Sequence, residues 1–190
     1  ATMFPCCSMP GATSPMTLSG TIVVNNAENL AGIVYAQLIR PGAPVVYANT
    51  SGGTDMRSIT PMIGSPETAL ISLASAAMAH YYGVPCRTGG SLADAKCVDY
   101  QCGVESTFTM LAAIMSTATF MLHSCGVMNS FNTLSYEKYL LDEQNIEMIM
   151  KFVDGMPIHT DEEELENISE VGPGGQFLES DHTYDYMRKE

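Results

Sequence analysis

Apolar and polar positions alternate along this chain in two rhythms, and the rhythms take turns. Short apolar runs bounded by breakers and polar loops read as strands at 3–7, 44–48, 84–87 and 118–123. The longer stretches 16–39, 65–82, 98–117 and 134–153 read as helices. The punctuation agrees with this reading. Arg40-Pro41-Gly42 stops the first helix, Ser65 and Pro66 supply an N-cap and a first helical residue for the second, and Gly83 ends it. A short helix is expected at 161–171. After Gly172-Pro173-Gly174-Gly175 the ending reads as irregular and polar.

Four βα units in succession, with strand starts roughly 35 to 40 residues apart, predict a parallel sheet with crossover helices. Four such units are half of a (β/α)8 TIM barrel, and this α/β chain is expected to be the C-terminal half. A doubly wound open sheet is the alternative. It would usually carry a Gly-rich phosphate loop after its first strand, and G-x-G-x-x-G is absent. The barrel half is expected over 1–155, with a helical and irregular extension over 156–190. The chain begins without Met inside a strand-like run, which reads as a fragment of a longer protein.

Barrel chemistry sits at the carboxyl ends of the strands. That rule selects Ser8 and Met9, then Asn49, Asp55 and Arg57, then Arg87, Ser91, Asp94 and Lys96, and last His123, Cys125, Asn129 and Phe131. Arg87 is placed either to grip a substrate carboxylate bidentately or, as the favoured reading, to pair with Asp94 or Asp99. Asp55 and Arg57 are read as a salt bridge, and Tyr47 and Tyr136 as packing residues. His80 and His159 lie away from strand ends and are given no catalytic role. No catalytic group is assigned.

Composition narrows the picture. With 190 residues and 46% hydrophobic content, the chain can bury the core of one domain. A net charge of −13 argues against nucleic acid. The acidic run at 161–164 reads as a solvated helix start. The six cysteines (Cys6, Cys7, Cys86, Cys97, Cys102, Cys125) match no zinc spacing, so no metal site is expected. With 14 methionines they fit a reduced, cytoplasmic protein. The apolar stretch 111–122 is too short to span a bilayer.

Segments in the loops carry a resemblance. Residues 10–20 (PGATSPMTLSG), Asn26-Ala27-Glu28, 40–44 (RPGAP), 64–67 (GSPE), 82–85 (YGVP), Asp94-Ala95-Lys96, 135–138 (SYEK) and 171–175 (VGPGG) occur in this order. Together they resemble the trimethylamine methyltransferase family over nearly the whole chain. The resemblance implies a barrel, a small methylated amine as substrate, and a corrinoid carried by a partner protein. A homo-oligomer is also expected.

One position implies the branch. The family's trimethylamine enzymes carry pyrrolysine in the loop before Asp94-Ala95-Lys96, within the segment that includes Ser91. Here that position aligns with Leu92, so the chain resembles the pyrrolysine-free branch, which acts on quaternary amines such as glycine betaine. Displacement at a quaternary ammonium releases a neutral amine and needs no proton. What it needs is positioning and a cation-tolerant pocket, which aromatic faces provide. His123, Phe131, Arg87 and Asn49 are therefore the candidate substrate contacts. A trimethylamine:corrinoid methyltransferase, a non-catalytic half-barrel binding or assembly module, and another chemistry on the same fold remain open.

Overall fold

The structure, a computed structural model, describes residues 1–158 and 161–187. His159 lies outside the described residues. Contacts divide the chain into two units, Ala1–Val153 and Asp154–Glu190.

The first unit runs β1 (Thr2–Cys6), α1 (Leu18–Ile39), β2 (Val45–Asn49), β3 (Gly53–Asp55), β4 (Thr60–Met62), α2 (Pro66–Tyr82), β5 (Cys86–Gly89), α3 (Tyr100–Met115), β6 (Phe120–Leu122), β7 (Val127–Met128), β8 (Thr133–Leu134) and α4 (Tyr136–Asp154). β1, β2, β5 and β6 form one parallel sheet in the order β1-β2-β5-β6, which is their order along the chain. α1 packs on β1 and β2, α2 on β2 and β5, and α3 on β5, while α2 also touches α1 and α3. The three helices therefore form one continuous layer, unlike a doubly wound fold, which covers both faces.

Side chains on neighbouring strands follow the register. Tyr47 and its partner Cys86 pack with Ala76 and Ala79 beneath the helices. By strand alternation, the opposite face carries Pro5, Ala48, Arg87 and Phe120, which are register neighbours across all four strands. Phe120 is 48% exposed there. α1 approaches β1 closely because Gly32 has no Cβ; one would collide with the ring of Phe4.

Helix starts follow caps more than periodicity. Thr17 accepts from Gly20 N–H and starts α1 at Leu18, two residues later than the pattern indicates. Ser65 caps α2, and Gly83 ends it in the left-handed conformation at φ 66°. Asp99 accepts from Cys102 N–H and sets the start of α3. Two stretches expected as loops contain antiparallel hairpins, β3–β4 and β7–β8. The second takes Leu134 out of the helix expected from 134 and leaves Ser135 to accept from Lys138 N–H.

In the second unit, α5 spans Asp161–Val171 as expected. The ending is more ordered than its composition implies. A 3-10 turn at Phe177–Glu179 leads to α6 (Asp181–Tyr186), where the Ser180 hydroxyl accepts from Thr183 N–H. Tyr186 Oη donates to Glu163 at 2.7 Å. No helix of the described residues is long and apolar enough to cross a membrane.

Candidate active site

Four candidate residues converge where the parallel strands end. Asn49, Arg87, His123 and Phe131 line one cleft together with Leu92, Ile63, Ser51 and Gly89. Within this chain it encloses about 10 Å3, the room of about one water.

Arg87 forms the floor. It is 2% exposed and belongs to the sheet face turned away from the helices. Its Nη1 donates to the Asn49 carbonyl at 2.6 Å, its Nη2 lies 3.4 Å from His123 Nδ1, and its Nε has no partner among the described residues. The expected pairing with Asp94 or Asp99 is not found. Asp94 accepts instead from Ile63 N–H at 2.9 Å, Gly64 N–H at 2.8 Å and Ser130 Oγ at 2.6 Å. Asp99 is spent on capping α3. Among the described residues, the Arg87 guanidinium meets no carboxylate, and burial lowers its pKa.

His123 sits one residue beyond β6 at φ 57°. Its pKa falls below its usual value, first through burial and then through the Arg87 charge. A guanidinium can only donate, so Nδ1 accepts and the neutral ring carries its proton on Nε2. Stability follows from the sign. The folded protein binds fewer protons here than the unfolded chain, so the contribution is fully present above the unfolded pKa of about 6.5 and lost as pH falls toward the folded value. Thermal melts at pH 7.5 and 5.5 should show a drop on acidification that is smaller in His123→Gln. An equal drop in both proteins would refute this.

Phe131 faces His123 edge to face, with ring centroids 5.0 Å apart and planes at 61°. The loop that carries it has Asn129, Ser130 and Phe131 at φ 48°, 52° and 70°. Left-handed backbone at non-glycine residues stores strain, and such residues cluster at functional sites.

Asn49 lines the cleft as a buried residue. It is 2% exposed, and its side-chain carbonyl accepts from Asn25 Nδ2 at 2.6 Å and Ser51 N–H at 3.0 Å. Its contribution to the cleft is the carbonyl that holds Arg87. Asn25 and Asn29, both fully buried on α1, extend this network to Ser75, Cys6 and the backbone of Ala48. Periodicity passed over both, although two Asn four apart in an apolar helix are a detectable signal.

The loop after β5 is held from several sides. Leu92 is 5% exposed, packs with Ile63 and Val127, and forms part of the cleft wall. The Ser91 carbonyl accepts from Lys138 Nζ at 3.0 Å. Lys138 and Asp142, one turn apart on α4, form a buried pair at 2.5 Å, and Asp142 also accepts from Gly126 N–H. Lys96 is exposed and lies outside the cleft. Asp55 accepts from the backbone N–H of Arg57 and from Ser58 Oγ, without the expected side-chain ion pair. Tyr47 is buried as expected, whereas Tyr136 is 81% exposed and packs little within the described residues.

A larger cavity of about 570 Å3 lies on the other side of Asp94 and Ser130, lined also by Met62, Glu105 and Phe108. Its three carboxylates, Asp55, Asp94 and Glu105, are already engaged by backbone N–H groups. Among the described residues no group of three or more His, Cys, Asp and Glu could hold a metal ion. No thiol lines the cleft, and burial first of all pushes Cys6 up to about 12 and Cys86 up to about 11.

An α/β layer with a cleft at its strand ends that joins apolar walls to a few polar groups defines a class of small-molecule sites. Comparison with known proteins specifies the family. A family model described as trimethylamine methyltransferase (MTTB) matches residues 1–190. The chain is 45% identical over 182 residues to a glycine betaine methyltransferase of Desulfitobacterium hafniense (strain Y51), covering 96% of this chain and 38% of that one. It is 42% identical over 174 residues to an L-carnitine:corrinoid methyltransferase of Eubacterium limosum, covering 90% and 36%. It is 39% identical over 171 residues to a trimethylamine methyltransferase of Methanosarcina thermophila, covering 90% and 35%. The chain belongs to the trimethylamine methyltransferase family. It spans little more than a third of the length of these curated relatives.

Proposed function

We propose that this chain is the C-terminal half of a (β/α)8 barrel, spanning about residues 1–155 with an extension over 156–190, and that the whole enzyme transfers a methyl group from a carboxylated quaternary amine to a corrinoid protein. The observation that carries the substrate reading is the Arg87 guanidinium, buried in the cleft without a carboxylate among the described residues. A betaine supplies that missing partner. The single layer of helices and the opposite sheet face with its exposed Phe120 support the barrel, whose interior that face would line. The very small cleft supports a pocket completed by the rest of the barrel.

In this reading Arg87 and the Nε2–H of His123 hold the carboxylate, and Phe131 offers its ring to the ammonium. Each aromatic contact of that kind contributes about 0.5–2 kcal/mol. No thiol lines the cleft among the described residues, and in this reading the methyl acceptor is brought by a partner; a corrinoid protein would supply cobalt(I) chemistry there. The electrons of the broken N–C bond stay on nitrogen, and a neutral tertiary amine leaves without taking a proton. The protein's task is then orientation, and the chain needs no acid or base at this point. Leu92, at the pyrrolysine position, supports a quaternary substrate over trimethylamine.

The test uses the full-length protein with its corrinoid protein reduced to cobalt(I), and follows the corrinoid absorbance. Glycine betaine, L-carnitine and proline betaine are offered beside trimethylamine. Methyl transfer from one of the three betaines and none from trimethylamine is expected. Transfer from trimethylamine alone would overturn the reading of Leu92, and no transfer from any amine would overturn the activity.

A further inference from the structure

The strained loop that carries Phe131 is tied down mainly from one short segment. Asn129, Ser130 and Phe131 are three successive non-glycine residues in the left-handed region. Such a run persists only where its surroundings over-determine it. Residues 93–95 do so with three hydrogen bonds. Asn129 N–H donates to the Ala95 carbonyl at 3.1 Å, Ser130 N–H to the Ala93 carbonyl at 3.4 Å, and Ser130 Oγ to Asp94 Oδ1 at 2.6 Å. The third is the shortest and is assisted by the carboxylate charge.

Asp94 is itself fixed before it reaches Ser130. Its carboxylate accepts from the Ile63 and Gly64 N–H groups just before α2, and its own N–H donates to Glu105 Oε2 at 2.7 Å. One carboxylate thus joins the loops that follow β4, β5 and β7. Phe131 is 43% exposed, so its burial alone gives it little to stay in place for.

We propose that Asp94 is a positioning residue for the cation end of the cleft: through the Ser130 hydroxyl it holds Phe131 in left-handed backbone, with its ring against His123. This rests on the reading above, in which Phe131 is the wall that meets the quaternary ammonium. Asp94 touches neither substrate nor reacting atoms and acts only through the loop.

Ser130→Ala in the full-length protein is the discriminating variant, because replacing Asp94 would also release the start of α2. Amide hydrogen exchange of residues 126–134 should quicken by about tenfold or more, the equivalent of a hydrogen bond to a charged group. Unchanged exchange would overturn the proposal. Calorimetric binding of glycine betaine should weaken about 2- to 30-fold, the range of one aromatic wall. In a Phe131→Ala background, adding Ser130→Ala should cost nothing more, because the hydroxyl acts through the ring. An additive loss would overturn the link to Phe131. If Phe131→Ala alone bound glycine betaine like the parent, the cation wall would be lost from the reading, and the exchange result would still decide whether Asp94 and Ser130 position the loop.

Discussion

Replacing Lys138 with Met should destabilise the protein by about 3–5 kcal/mol, because it strands a buried charge. Lys138 and Asp142 have side chains 1% and 4% exposed, so the Asp142 carboxylate would remain in the interior with only the Gly126 N–H to satisfy it. The loss should exceed what the pair itself contributes. Two charges withdrawn from water roughly repay each other, and an uncompensated one does not. The double variant Lys138→Met, Asp142→Leu should therefore recover most of the loss. Urea denaturation with an unchanged m-value reads both effects. If the double variant were as unstable as the single, the loss would come from the contacts of the lysine stem, or from its bond to the Ser91 carbonyl, and not from the stranded charge.

Arg87→Met should have the largest effect on ligand binding and the opposite effect on the fold. A guanidinium buried without a carboxylate among the described residues carries a desolvation cost that only hydrogen bonds offset. Removing it should leave the melting temperature unchanged or raised, the pattern of a residue kept for function at some expense of stability. Affinity for a betaine should fall by about 2–5 kcal/mol, roughly 30- to several-thousandfold, since a buried charge pair is broken. A quaternary amine of the same head but without the carboxylate should bind the parent and the variant alike. Arg87→Lys should recover little, because an ammonium lacks the planar fork. Equal losses for both ligands would remove the carboxylate from the reading of Arg87. A large fall in stability would mean that the guanidinium is structural after all.

His123 and Phe131 show what local sequence can carry and what it cannot. Their positions after the last strand of the sheet were legible, because the strand pattern and the rule of carboxyl-end chemistry place them in the right loops. Their conformations were not. Phe does not favour left-handed backbone and His enters it only occasionally, so the local sequence does not announce φ values of 57° and 70°. Asn49 was legible as a strand end, but its burial was not, for a related reason. A strand fixes which face a side chain takes, yet whether that side chain finds solvent or Asn25 depends on a helix more than twenty residues away.

The sequence by itself determined the βα rhythm, the ends of α2 through Ser65 and Gly83, and the family, because these depend on burial period, capping and short ordered motifs. It also named Asn49, Arg87, Leu92, His123 and Phe131, five of the eleven residues that line the cleft. Tertiary structure alone decided their partners. The parallel register puts Arg87 beside Ala48 and within reach of the Asn49 carbonyl. Asp94 went to the backbone of a neighbouring loop and left Arg87 without the carboxylate that its spacing had offered it. Such choices are made between groups far apart in the chain, competing for hydrogen bonds that form only once strand register and helix packing have brought them together.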